Sequence, residues 1–429
     1  MNTETILECA LFYSLQDLEG NEMEAGEAYS RLDCEKLTLR PRFSEPSVFP
    51  LREIEQIAPD DYMIRLDIAN EEFLVLSKLG YRHDDFIRTL QWLRMDAMLK
   101  DIQMNEKAIH TGFRGELRHL DATSGQILSC PCEISLYETA LVVLPLRGNL
   151  LRVPYSFIED VFQESYLLKI TTEYGETFEF RQLGNEFHRF LQLLSEAMSQ
   201  LSLRSQITLK QFLPQAKPSM IRRTSRLMKE GRTVSQASLE PIDPSLWGSM
   251  TAYMEKTSLH ETVQFLKAFS DECEIHIGVR QSQESKEHPV VWVYVPLNNP
   301  DSDRYGNALA VEVEKRHEDA STLCFFSYVD PEVYTQSTSD ADRRKMARRV
   351  MNLLDRSLMF VNYRTEPFYL TEEELQDPAN ALYRSYLKQH PFLHQLRDRV
   401  IGRVTKTNVS QWHQETLDLL NHHLAMHQS

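Results

Sequence analysis

The chain has 429 residues, 42% of them hydrophobic and 10% aromatic, and a formal net charge of −16. That length exceeds one ordinary core and the composition is neither disordered nor fibrous, so two to four globular domains are expected. Residues 1–200 carry 19 Lys and Arg against 34 Asp and Glu, which places −15 of the charge in this half and disfavours phosphate-rich partners.

The sequence opens Met1-Asn-Thr-Glu-Thr-Ile-Leu-Glu8, without the basic stretch of a secretory leader. The longest apolar run, Ala140–Leu146, falls far short of the roughly 20 residues of a membrane span. Six cysteines lie scattered at 9, 34, 130, 132, 273 and 324, so a reduced, intracellular and cytoplasmic setting is expected.

An internal repeat organises the first half. An offset of 104 residues superposes Pro50 on Pro154, Ile54 on Ile158, Tyr62 on Tyr166, Leu79-Gly80 on Leu183-Gly184, Phe86 on Phe190 and Leu90 on Leu194. Upstream, Leu37 and Leu39 fall on Leu141 and Val143. The second copy reads as β-runs at Gly112–Leu120, Gln126–Leu136, Ala140–Leu146, Leu150–Ile158, Tyr166–Thr172 and Thr177–Leu183, broken by Ser-Gly, Arg-Gly-Asn and Tyr-Gly-Glu turns. The period then changes: Phe187, Phe190, Leu194, Ala197, Met198 and Leu201 recur every three or four residues, as on one face of a helix. The first copy closes likewise through Phe86, Leu90, Leu93 and Ala97.

Short antiparallel strands closed by one amphipathic helix, twice within residues 1–204, resemble a tandem of bacterial pleckstrin-homology-like domains. The expected fold is therefore a mostly β N-terminal half, with two PH-like β-barrels each capped by a C-terminal helix. An α+β domain with an antiparallel sheet follows. The boundaries are 1–103 and 108–204 for the two modules, 205–238 for a basic connector and 239–429 for the last domain. Trp92 resembles the helix tryptophan of eukaryotic members, whereas Glu196 stands there in the second copy. Trp92 lies off the apolar stripe, and packing between the modules is one reading of it; a half-exposed ring is the other.

The resemblance implies two ligand classes, anionic lipid and peptide. Against lipid, the first copy's hairpin segment Gln16–Glu27 holds five carboxylates and no basic residue. The second copy offers Arg114 and Arg118 on one strand face and Arg147 and Arg152 flanking a turn, either a weak anion site or a solvated face. Peptide binding by strand addition or groove packing fits the acidic field, which steers a basic partner inward.

In the connector, Pro214 and Pro218 precede a short expected helix from Ser219, ended by Gly231. Arg222, Arg223 and Arg226 make it a candidate contact for anionic membrane or nucleic acid, or a segment folded against the acidic repeats. Beyond it, helices are expected at Pro244–Tyr253, Leu259–Phe269 and Thr338–Leu358, with an antiparallel meander at Glu272–Val279, Val290–Leu297, Ala308–Val313 and Leu323–Val329. Met359–Tyr363 reads as a fifth strand, and Ala381–Gln389, Phe392–Ile401 and Gln411–Met426 as helices.

Chemical motifs are sparse here. Asp301, Asp303 and Gly306 echo a calcium loop without its other ligands, and His390 and His394 are separated by Pro391. Cys130 and Cys132 have no second pair at zinc spacing, and no phosphate loop or nucleophile elbow is present. No cofactor and no metal are expected. The reading is a non-enzymatic scaffold engaging a protein partner. Its alternatives are peripheral anionic-membrane binding through the second module and connector, and a hydrolase site beside Asp301–Arg304.

Overall fold

The computed structural model describes residues 5–68, 72–103, 106–122, 124–146, 150–257, 259–270, 274–281, 289–297, 308–313, 321–328, 339–363, 366–377, 380, 383–384, 387, 390–406 and 409–426. Two units result: Met1–Ala197 with Leu370–His390, and Met198–Tyr369 with Pro391–Ser429.

The first unit contains the repeat. Its first copy comprises β1 (Leu7–Gln16), β2 (Glu22–Leu32), β3 (Lys36–Pro41), β4 (Ser47–Pro50), β5 (Ile54–Asp60), β6 (Met63–Ile68), β7 (Glu72–Ser77) and helix α1 (His83–Gln103). The second comprises β8 (Ala108–Leu120), β9 (Ile127–Tyr137), β10 (Ala140–Pro145), β11 (Leu151–Pro154), β12 (Ile158–Glu164), β13 (Leu167–Thr172) and β14 (Thr177–Arg181), and leads into α2 (Phe187–Phe212). Each copy forms a seven-stranded antiparallel sheet, ordered β4-β3-β2-β1-β7-β6-β5 and β11-β10-β9-β8-β14-β13-β12. The first half is thus mostly antiparallel sheet with helices, and the last part of the chain has an antiparallel sheet with helices.

The run expected as one strand over Leu150–Ile158 is broken by a 3-10 turn at Tyr155–Phe157, and a separate β12 follows. Pro154 marks the break, because it has no N–H with which to continue a ladder. The same turn occurs 104 residues earlier at Leu51–Glu53, after Pro50. Backbone irregularities keep the offset as well: positive φ at Tyr62 and Tyr166, at Lys78 and Gln182, and at Gly80 and Gly184. Bulky residues with positive φ cost energy, so their recurrence at matched positions marks one backbone used twice.

The apolar periodicities converge on the cores. Phe86, Ile87, Leu90 and Leu93 of α1 join the cluster built from Leu11, Leu32, Leu37, Ile64, Leu66 and Leu74 of the sheet. In the second copy the Phe190 ring stands 5.0 Å from Phe113 and 6.0 Å from Phe180. Each such fully buried side chain contributes about 1.5–3 kcal/mol. Arg94 ties α1 to the sheet, donating to the carbonyls of Ile54 and Glu55 at 2.6 Å each.

The second unit is built on a six-stranded antiparallel sheet, ordered β15 (Val234–Ser235), β16 (His276–Gln281), β17 (Pro289–Leu297), β18 (Ala308–Val313), β19 (Ser321–Ser327) and β20 (Val400–Lys406). The expected meander is its centre. Val291, Val293, Val295 and Leu297 face a core shared with α3 (Pro218–Leu227), α4 (Gln236–Leu239), α5 (Ser245–Met254) and α6 (Leu259–Leu266). Trp292 and Tyr294, of opposite parity, face the other side, where α7 (Asp340–Phe360) lies. Strand alternation creates this two-faced burial.

Three expectations change here. Residues 205–238 are part of the second unit rather than a separate connector: Leu209, Phe212, Leu213, Ile221, Met228 and Val234 belong to its core, and β15 pairs with β16. Met359–Tyr363 is the end of α7 followed by left-handed Asn362 and Tyr363, with the Tyr363 N–H closing onto the Leu358 carbonyl at 2.6 Å. The helix expected at Phe392–Ile401 ends at Arg397, and β-branched Val400, Ile401, Val404 and Thr405 form β20 instead. Only part of Ala381–Gln389 lies within the described residues. Among the described residues no helix is long and apolar enough to cross a membrane.

Candidate protein-binding edge

The acidic segment singled out in the sequence forms the β1–β2 hairpin. Asp17 accepts from the Asn21 N–H at 2.8 Å and from Asn21 Nδ2 at 3.0 Å, and Gly20 takes φ +82° between them. These Asn21 hydrogen bonds hold the Asp17 carboxyl below its usual range. On the strands, Tyr13 donates to Glu24 at 2.5 Å, Ser44 donates to the same carboxylate at 3.2 Å, and Ser14 donates to Glu22 at 2.9 Å. Burial, followed by the bond to Glu24, pushes the Tyr13 phenol up.

The pairing register leaves this carboxylate row on a free edge. β2 pairs with β1 along most of its length, but with β3 only from Ala28 to Leu32. Over Glu22–Glu27, β2 therefore has a strand on one side and none on the other among the described residues. Glu22 and Glu27 are exposed beside it. Leu18, Met23 and Phe43 add exposed apolar surface at 59%, 50% and 93%, enough to give an incoming strand side-chain contacts as well as charge. An open edge offers a row of unpaired N–H and C=O groups to any extended segment.

Among the described residues, Arg114, Arg118 and Arg152 of the second copy each contact a different side chain of the protein. Arg114 lies 3.8 Å from Glu133, and Arg118 and Arg181 lie 3.1 and 3.4 Å from Glu179. Cross-strand pairing explains the first two contacts, since Arg114 is opposite Glu133 and Arg118 opposite Glu179; Arg181 reaches Glu179 along its own strand. Arg152, expected beside a solvated turn, is 4% exposed and donates to Thr139 Oγ1 at 3.1 Å. Glu106 takes both the N–H and the hydroxyl of that threonine. Arg147 lies outside the described residues.

Arg222, Arg223 and Arg226 occupy the exposed face of α3 (Pro218–Leu227), whose other face buries Ile221, Thr224 and Ser225. Arg223 donates to the Pro241 carbonyl at 2.9 Å. Trp92 is 47% exposed. Its neighbours make the inter-copy contact: Met95 packs on Val142 and Leu150, and Gln91 donates to the Leu146 carbonyl at 3.3 Å.

Asp301, Asp303, Arg304 and Gly306 also lie outside the described residues. His394 pairs with Asp398 at 2.9 Å. Cys130 and Cys132 are both buried, and burial pushes the Cys132 thiol up to about 12. Among the described residues no group of three or more His, Cys, Asp or Glu is placed to hold a metal ion.

One polar cluster escaped the sequence reading. Asp355 on α7 is 5% exposed and accepts from the Thr233 N–H at 3.1 Å, Thr233 Oγ1 at 2.9 Å and the Tyr294 hydroxyl at 3.0 Å. Burial raises its carboxyl to about 6, against these hydrogen bonds and the nearby Arg232. Its place within the buried stripe Met351, Leu354 and Leu358 was the available signal. All its ligands are supplied by the protein, so it reads as a structural tie between α7 and the sheet.

No family model matches the chain, and no curated protein is significantly similar to it. Among solved structures it is similar to the C-terminal domain of an unknown protein from Leishmania infantum, at 10% identity. That match covers 24% of this chain and 94% of the other with a TM-score of 0.20, a likeness that says nothing of fold or activity.

Proposed function

We propose that residues 1–204 are a tandem of pleckstrin-homology-like modules and that the chain is a non-enzymatic scaffold. Its partner is a protein bearing a basic, extended segment, which adds as a strand to β2 over Glu22–Glu27. The strand order and closing helix, repeated in both copies, support the modular reading. The open, carboxylate-lined edge of β2 carries the partner reading. Backbone hydrogen bonds supply affinity and the acidic rim selects cations. The −15 charge of residues 1–200 accelerates the approach of a basic partner at low salt.

The test is fluorescence anisotropy of the full chain with an alternating Lys-Val peptide and a matched peptide carrying Pro at every second position. The first binds, the second does not, and Glu22→Lys with Glu27→Lys weakens binding by about tenfold or more. Equal binding of both peptides refutes strand addition. Unchanged binding by the doubly substituted chain refutes the edge.

A second reading rests on α3, whose exposed Arg222, Arg223 and Arg226 suit an anionic lipid surface. Salt-sensitive co-sedimentation with anionic liposomes, abolished by Arg222→Glu with Arg226→Glu, is its expected result; no sedimentation refutes it.

A further inference from the structure

The repeat holds a second open edge, and its chemistry has diverged. Phe12 pairs with Glu27 in the first copy as Glu116 pairs with Pro131, 104 residues on, in the second. β3 begins to pair at Ala28 of β2, and β10 at Cys132 of β9. Met23–Glu27 and Ile127–Pro131 are therefore equivalent stretches, each with a strand on one side and none on the other among the described residues.

In β9 the direction of the free groups is fixed. The Leu146 N–H donates to the Pro131 carbonyl at 2.8 Å from the side away from β8. Backbone polar groups alternate along a strand, so Ser129 and Ile127 present their N–H and C=O groups to that same side. Ile127 is 56% exposed and Leu146 40%, which leaves an apolar border along the edge.

Where the first copy has Glu24 and Glu27, the second has Leu128 and Pro131, and Ile127–Pro131 contains no charged residue. The surroundings follow the same trend: residues 1–103 hold 11 Lys and Arg against 21 Asp and Glu, residues 104–200 only 8 against 13.

We propose that the β9 edge binds a second copy of this chain, two β9 strands pairing antiparallel about a two-fold axis to join their sheets. An isologous contact must be self-complementary, because each copy contributes the same residues. Pairing two Met23–Glu27 edges gathers Glu24 and Glu27 of both copies in one seam, which is destabilising. Pairing two Ile127–Pro131 edges brings no like charges together and covers Ile127 on both sides. The two edges thus serve different occupants, and this assignment stands whether or not β2 takes a basic partner.

Light scattering after size exclusion, on the full chain from about 1 to about 200 µM near physiological salt, reads the outcome. The mass rises with concentration from 50.1 kDa toward twice that value. Ile127→Glu, at an exposed position, raises the dimer dissociation constant at least about tenfold by placing two carboxylates in the seam in place of two apolar side chains. Ser129→Pro, which removes an outward N–H, does the same, and Ala25→Pro on the equivalent edge of β2 leaves the dimer intact. Circular dichroism establishes that each variant is folded. A mass of 50.1 kDa at every concentration overturns the proposal. So does a dimer that persists in folded Ile127→Glu, or one that Ala25→Pro abolishes.

Discussion

Replacing Asp355 by Asn removes a buried charge while keeping a polar side chain between Thr233 and Tyr294. The wild-type carboxyl is held at about 6 by burial, against 3.8 for an ordinary aspartate. A folded value above the unfolded one means that the folded state binds the proton more tightly. The associated stability is full below about pH 4 and is lost as pH rises through about 6. The difference of about two units corresponds to about 3 kcal/mol, of which about 2 kcal/mol disappears between pH 4 and pH 7. Tyr294 and Tyr363 are pushed well above the usual phenol value, chiefly by burial, so neither titrates in this window. Urea unfolding followed by tryptophan fluorescence is the assay. Trp247, Trp292 and Trp412 all lie in the second unit, and Trp292 stands 4.8 Å from Tyr363. The stability of Asp355→Asn relative to wild type should climb by about 2 kcal/mol from pH 4 to pH 7, or roughly 1 M in urea midpoint. A difference that stays flat over that range, or falls, refutes the reasoning that desolvation dominates at this carboxyl.

Two further outcomes follow from close packing and from burial. Gly231 has φ +100°, and a Cβ there runs into the Trp292 ring and the Tyr363 hydroxyl. Gly231→Ala should therefore destabilise the second unit by about 3 kcal/mol or more in the same urea assay, and a loss below about 1 kcal/mol contradicts the packing. In native protein at pH 8, iodoacetamide should label exposed Cys34 within minutes and spare Cys132, whose buried thiol is pushed up to about 12. Peptide mass spectrometry reads the ratio, and equal labelling of the two refutes the burial assigned to β9.

The 104-residue offset was legible because paired positions do the same work. Leu37 and Leu141, Phe86 and Phe190, and Leu90 and Leu194 are all at most 1% exposed, so one apolar pattern written twice yields two like sheets. Short apolar, Val-rich runs located the β17 and β18 strands of the second unit. Arg152 and the 205–238 segment misled for the opposite reason. A charged residue near an expected turn, or a basic run between prolines, has the local signature of a solvated surface. Its burial depends on Thr139 and Glu106 in one case, and on Val291, Val293 and Trp412 in the other.

What the sequence by itself determined is what local periodicity and composition control: the repeat, most strands, the long helices and the acidity of the first hairpin. Tertiary structure alone decided which strands end a ladder early. Among the described residues, the edges without a partner strand over Glu22–Glu27 and Ile127–Ser129 arise because β3 and β10 are shorter than β2 and β9 and stop pairing at Ala28 and Cys132. No residue pattern within β2 or β9 encodes that, since an unpaired N–H is a property of the neighbouring strand's reach and not of the strand that carries it.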